Sequence, residues 1–322
     1  KDLTGTILKG TNLTNANLSG VDLSNRDLTG VILKGTNLSN ANLSGVDLSN
    51  RDLTGAILKG VDISGKKLVR TVLDHANIED ADLSNANFTL ASLISIDFTK
   101  VKSITGADLS QSSLANSNLS GVNLDDVVIY RTNFAGADLR DQDFRNIANA
   151  QILASIFYES NLSNSNFEGL DFSAEGINTY RIDSITPEEF IEWLKIPGNS
   201  NGDQIIAKAF HPSNAGLTTK LISVEIIGGE VLIDAISVNN FHLSNLQNVN
   251  FKNTNLKCAY LSEADLTNAN LSGADLTGTS FVDSNLANAN FDGSILNETI
   301  FDKADISPSQ AEILQYRLDC AN

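Results

Sequence analysis

Methionine is absent from all 322 residues, and tryptophan occurs once. The chain opens at Lys1 in the middle of a repeating pattern and without an initiator Met, so a processed protein or a fragment of a longer one is expected. Aromatics make up only 6% of the residues, fewer than a single globular core of this length uses, and a thin, elongated core fits better. The two cysteines, Cys258 and Cys320, exclude a disulfide framework and say little about redox compartment. Free thiols are expected, with one disulfide left open should the C-terminal end fold back toward Cys258. Three histidines and two distant cysteines provide no metal-ligand spacing, so neither metal nor cofactor is expected. No apolar run approaches the ~18 residues of a membrane span. Basic residues are outnumbered 22 to 39, and the net charge of −17 disfavours nucleic acid and anionic membrane as partners.

What the sequence does have is a period of five. Residues 1–100 divide into twenty pentapeptides without a slip, and the third residue of each is Leu, Ile or Phe. The fifth residue of the first thirteen is Gly or Asn. A helix needs apolar residues every three to four positions and a half-buried strand every two, so five suits neither. It suits a chain that runs extended, turns a corner and repeats, with Gly or Asn supplying the positive φ of the corner. The third residue points inward with the small first residue beside it, while Asp, Asn, Ser and Thr face water. Four such sides close a coil of about twenty residues, and coils stack at roughly 4.8 Å.

The runs ANLSG (41–45), ADLSN (81–85), ADLTN (264–268), ANLSG (269–273) and ADLTG (274–278) resemble the pentapeptide repeat family, whose motif is Ala-Asp/Asn-Leu-X-X. The resemblance covers about four fifths of the chain and implies an all-β fold, a right-handed quadrilateral parallel β-helix. The family is known mostly from cyanobacteria and other bacteria.

Four segments are expected. Residues 1–174 form a pentapeptide-repeat β-helix, with an extra residue near VKSITG (101–106) and a bulged corner at 147–149. Residues 1–25 and 26–50 are near-duplicates; twenty-five is five sides of a four-sided coil, so identical residues rotate around the rod and mark no single face. Residues 175–218 are a non-repeat insertion holding three of the four prolines and the only tryptophan. Thr186-Pro187-Glu188-Glu189 starts a short helix near 187–196, with a capping hydroxyl, Pro in the first turn and acids against the helix dipole. Residues 219–308 resume the β-helix, on the same axis, and residues 309–322 form a C-terminal helical cap. Arg26 and Arg51 occupy first positions, where burying an unpaired guanidinium costs several kcal/mol. Both are expected to swing outward and keep their charges wet.

Motifs that carry chemistry are weak here. GVDISGKK (60–67) nearly matches a phosphate-binding loop, but it ends in Lys instead of Ser/Thr and its glycines are corner residues. Asp74-His75 with Glu79-Asp80 offers acid–base groups without a cleft, and Asp125-Asp126 reads as a solvated face. An enzyme is not expected. The outstanding group is Phe190, Trp193, Phe210 and His211 in the insertion, which either cover the side of the solenoid or dock a partner protein.

Three functions follow as expectations. The first is a noncatalytic protein-binding scaffold or regulator, monomeric or dimeric through its uncapped N-terminal end, recognising an unidentified partner through the insertion. The second is a DNA mimic that binds DNA gyrase, as the resemblance implies for some relatives. Duplex DNA carries one charge per ~1.7 Å, or ~35 along a rod of ~60 Å, about twice this chain's net charge. The third is a passive structural part of a larger envelope or membrane-anchored protein. The cytoplasm is the expected compartment, or the periplasm or thylakoid lumen if an upstream targeting segment has been removed.

Overall fold

A computed structural model of the chain describes residues 3, 6–148, 152, 155–172, 178–181, 219–227, 230–237 and 239–306. Asn12 pairs with Ile32, Asn17 with Asn37 and Asp22 with Asn42, all in parallel. One turn of the coil therefore takes twenty residues, four units of five, one unit to a side. The sides are numbered in chain order: face 1 carries Asn12, face 2 Asn17, face 3 Asp22 and face 4 Asp27.

Every unit repeats one local solution. The first residue of a unit donates its N–H to the central carbonyl of the unit before, as Ala41 does to Leu38 at 2.9 Å. This closes a β-turn whose third residue is the fifth of the unit, with φ of +57° at Asn15 and +67° at Gly20. The second-position Asp and Asn do more than face water. Asn12 Oδ1 accepts the N–H of Thr14 at 2.9 Å, and Asp52 Oδ1 accepts both the N–H of Thr54 at 2.9 Å and its hydroxyl at 2.5 Å. These Asx turns hold the corner from outside, while the central Leu, Ile or Phe anchors it from inside.

The central residues line one continuous core from Leu8 to Leu296. First-position residues fill the space beside them, and where a hydroxyl stands there it donates to a carbonyl of the preceding coil. Thr36 reaches Leu13, Thr71 Leu48 and Thr279 Leu256, at 2.8, 2.8 and 2.7 Å. This slot corrects the expectation for the arginines. Both Arg26 and Arg51 are half-buried. Arg26 Nη2 donates to the Leu3 carbonyl at 3.0 Å, and Lys66 Nζ likewise to Leu43 at 2.9 Å. The carbonyl that serves threonine holds the long cations inward. Arg51 Nε is buried with no hydrogen-bond partner.

Frame slips are absorbed at corners. Asp82 pairs with Ser103, one residue late, after a 3-10 turn over Phe98–Lys100 whose N-cap Asp97 accepts from Thr99. Asn133 pairs with Ile156, three residues late. The largest slip is the insertion. Ile156 pairs with Asn240, Asn161 with Asn245 and Asp171 with Asn255, each 84 residues apart instead of 20, so 64 residues detour out of a single coil. The coils on either side of the detour form one stack.

The detour is longer than expected, because coils do not resume at Thr219. Strand β1 (Asn178–Arg181), β2 (Thr219–Ile227) and β3 (Glu230–Ser237) form an antiparallel sheet in the order β1-β3-β2. Its register pairs Ile227 with Glu230 and Thr179 with Asp234, with an irregularity between Leu221 and Ser223. The third-position rule holds across 219–238 only because the stretch is rich in apolar residues. Its corners are wrong: Ile233 and Val238 fall at fifth positions, where a β-branched residue at positive φ is strained. Lys220, Glu225, Glu230 and Ala235 fall at second positions and supply no short acceptor for an Asx turn. β-Branched residues around Gly228-Gly229 favour a hairpin instead. The helix near 187–196 and the cap at 309–322 lie outside the described residues.

Candidate interaction surface

At the splice, the residue that re-enters the coil is Asn239. It is fully buried in a first position, where small residues are the rule. Its Oδ1 accepts the Ser155 N–H at 3.0 Å and its Nδ2 donates to the Phe172 carbonyl at 2.9 Å, tying the returning chain to both the departing unit and the coil below. Inside, Phe157 stacks on Phe241 and Phe167 on Phe251, with centroids 4.8 and 5.2 Å apart. On the corner after face 2, an amide ladder crosses the same level. Asn164 donates to Asp141, Asn248 to Asn164, Asn268 to Asn248 and Asn288 to Asn268, at 2.9 to 3.2 Å.

Face 1 departs from this polar pattern beside the splice. Tyr158 and His242 stand in successive coils at the fourth position, with centroids 5.7 Å apart, and Tyr260 stands edge-on to His242 at 6.1 Å. His242 Nδ1 lies 2.8 Å from the Ser262 carbonyl, which can only accept, so the ring proton sits on Nδ1. Nε2 lies 3.9 Å from Glu263 Oε1. Leu243 occupies the adjacent corner at φ +57° and is 39% exposed. The Tyr158 phenol is pushed up from its ordinary value by its hydrogen bond to Glu159 and, less, by desolvation. Sequence reasoning passed over these residues, although an aromatic in an outward slot was a visible signal.

Elsewhere the surface charges answer one another. Lys252 pairs with Glu168 and Lys257 with Asp275, both at 3.0 Å, and Lys59 with Glu79 at 2.9 Å. Arg140 and Arg145 fork onto Asp138 and Asp143 two residues away, holding those carboxyls below their ordinary range. Asp74 accepts the Ser92 hydroxyl and the Ile94 N–H, which ties it into the next coil, while His75 sits exposed on a corner at φ +59°. Gly60 and Gly65 are corner residues, so residues 60–67 build two sides of a coil and not a phosphate cradle. Cys258 is a free, half-buried corner residue, and Cys320 lies outside the described residues. A shallow cleft of about 260 Å³ opens where the frame slips, between residues 98–105 and 120–123.

The insertion residues singled out from the sequence, Phe190, Trp193, Phe210 and His211, lie outside the described residues. Among the described residues, no cluster of His, Cys, Asp and Glu is placed to hold a metal ion, and no helix is long and apolar enough to cross a membrane.

The family model described as Pentapeptide repeats matches in 8 copies, over residues 2–35, 32–65, 67–102, 103–145, 244–283 and 279–307. No curated protein matches the sequence. Among solved structures, HetL, a pentapeptide repeat protein involved in heterocyst differentiation regulation from the cyanobacterium Nostoc sp. strain PCC 7120, is 16% identical; the match covers 94% of this chain and 92% of HetL, with a TM-score of 0.24. QnrB1, a plasmid-mediated fluoroquinolone resistance protein, is 16% identical over 81% of this chain and 99% of its own, with a TM-score of 0.31. A pentapeptide repeat protein from the thylakoid lumen of Arabidopsis thaliana is 24% identical over 42% and 69%, with a TM-score of 0.13. Likeness at this level carries nothing about role. The family match takes in the coils on both sides of the detour and none of the detour itself, and on that ground the chain belongs to the pentapeptide repeat family, whose members fold as right-handed quadrilateral β-helices.

Proposed function

We propose that this chain is a noncatalytic protein-binding scaffold, with its partner recognised through the 64-residue detour and the part of face 1 beside its root. One observation carries the reading: the coil closes across the splice without help from the detour. Phe157 on Phe241 and the pairing of Ile156 with Asn240 continue the same stack that runs above and below. A segment that the core does not need, carried on a rigid rod, is the usual bearer of recognition. A duplex mimic finds less support, since many carboxylates are paired with Lys or Arg on neighbouring units and present no continuous acidic stripe.

The test is affinity capture from the native source with the full chain and with a variant lacking residues 185–216. Loss of a specific partner from the variant supports the reading. Recovery of the same proteins by both sinks the docking role of the detour. Protection or inhibition of gyrase supercoiling by the full chain would instead bring back the duplex mimic.

A further inference from the structure

We propose that face 1 beside the root of the detour binds an arginine side chain of a partner protein, seated against Tyr158, His242 and Tyr260 and neutralised by Glu159 and Glu263. The proposal deepens the scaffold reading and rests on it for the partner being a protein.

The outward slots of the coil are filled almost everywhere by Asn, Asp, Ser and Thr, because those residues hold the corners. Tyr158, His242 and Tyr260 give up that local benefit within three successive coils. Tyr158 and His242 are tilted 36° to each other, and Tyr260 stands at 69° to His242, so the rings form an angled wall and not a flat stack. With the Nδ1 proton directed at the Ser262 carbonyl, neutral His242 keeps Nε2 as an acceptor. A guanidinium suits such a site better than an ammonium: it is planar, stacks on aromatic faces and has N–H groups to spare for carboxylates.

The charge agrees. Glu159 and Glu263 are exposed corner residues, fixed at φ of +54° and +55°, and Asp283 continues the same corner one coil on. Leu243, on that corner between Glu159 and Glu263, offers apolar surface for the methylene stem of an arginine. The chain uses the same chemistry within itself, where the Arg131 guanidinium lies 5.5 Å over the Tyr130 ring.

The test is a titration of the full chain with the blocked tripeptide acetyl-Arg-Gly-Arg-amide at low ionic strength. It is run at about pH 8, where imidazole is neutral, and the ring NMR signals of Tyr158 and His242 are followed. Saturable shifts are expected, with the lysine analogue binding more weakly. The pair Tyr158→Leu and Tyr260→Leu should weaken binding by roughly tenfold, from two cation–π contacts. The pair Glu159→Gln and Glu263→Gln should weaken it comparably, and these exposed positions put no folding at risk. A control pair, Asp125→Asn and Asp126→Asn, removes the same formal charge from face 3 and should change binding by less than about twofold. Equal weakening by the control, no effect of removing the rings, or shifts that never saturate would each overturn the proposal. If the peptide binds as expected while the capture experiment fails, the arginine site stands and only the scaffold reading falls.

Discussion

Phe157 and Phe241, 84 residues apart in sequence, stack face to face with their centroids 4.8 Å apart and their planes within 4° of parallel. Consecutive coils are normally closed by residues 20 apart, so this pair measures what the detour costs the solenoid in geometry, which is nothing. Deleting residues 175–238 joins Ala174 to Asn239 with the five-residue frame intact. The shortened chain is expected to fold, at least as stable as the full one, because closing a long loop is an entropic cost. Phe241→Ala should instead cost about 3–5 kcal/mol. Thermal unfolding of the three chains checks both, and a shortened chain that does not fold would show that the detour props up the coil.

The corner positions predict opposite effects for two substitutions. Leu90 is held at φ +62° with 40% of its surface exposed, a conformation that costs a non-glycine residue about 1–2 kcal/mol. Leu90→Asn should recover about 1 kcal/mol. Gly35 lies at φ +65° beneath the Asn15 side chain, and a Cβ there would meet Asn15 Oδ1 at 2.1 Å. Gly35→Ala should therefore destabilise by about 1–2 kcal/mol, and Asn15→Gly in the same chain should restore part of it. Denaturant midpoints read all three.

Arg51 occupies a slot that threonine fills better. Its buried Nε has no partner, whereas Thr36 and Thr71 in equivalent slots donate to a carbonyl of the coil below. Arg51→Thr is expected to stabilise by about 1 kcal/mol, the scale of an unmet buried donor. A lower unfolding midpoint in the variant would mean that the arginine stem contributes more by packing than its nitrogen costs.

The Asx turns make stability depend on acid. The carboxyls of Asp52 and Asp62 lie below their ordinary value of 3.8, held there first by the hydroxyls of Thr54 and Ser64 and then by the backbone N–H groups of the same residues. Asp47 is lowered in the same way, with the Ser49 N–H ahead of its hydroxyl. A carboxyl more acidic in the folded chain than in the unfolded one contributes stability above the unfolded value and loses it as pH falls through the folded value. The unfolding midpoint should thus decline from about pH 4 downward. Asn makes the same turn without titrating, as Asn12 does with Thr14. The triple variant Asp47→Asn, Asp52→Asn and Asp62→Asn should flatten that decline while changing little at neutral pH. A decline as steep as in the natural chain would assign the acid sensitivity to other groups.

Most of the coil was legible in residue order because each unit solves its own problem. One inward side chain, one turn-former and one Asx acceptor close a corner within five residues. What misled was using only one of the three signals. Residues 219–238 satisfy the inward rule, but Ile233 and Val238 cannot turn corners and Lys220 cannot cap one, so the stretch pairs as a hairpin. The arginines were misjudged because the carbonyl that receives Arg26 comes from Leu3, a full coil and a corner away. The surface at Tyr158, His242 and Tyr260 was missed for the same reason: its members lie up to 102 positions apart, and only the closure of the coil across the detour puts them side by side.

By itself, the order of residues determined the five-residue corner, the narrow aliphatic interior and the four-sided coil, all interactions that reach no further than one turn of chain. Which coils become neighbours across the 64 missing residues was decided by tertiary structure alone. That depends on aromatic stacking and strand pairing between segments that share no local signal, and with it came the only face whose outward slots are given to rings instead of corner-holding amides.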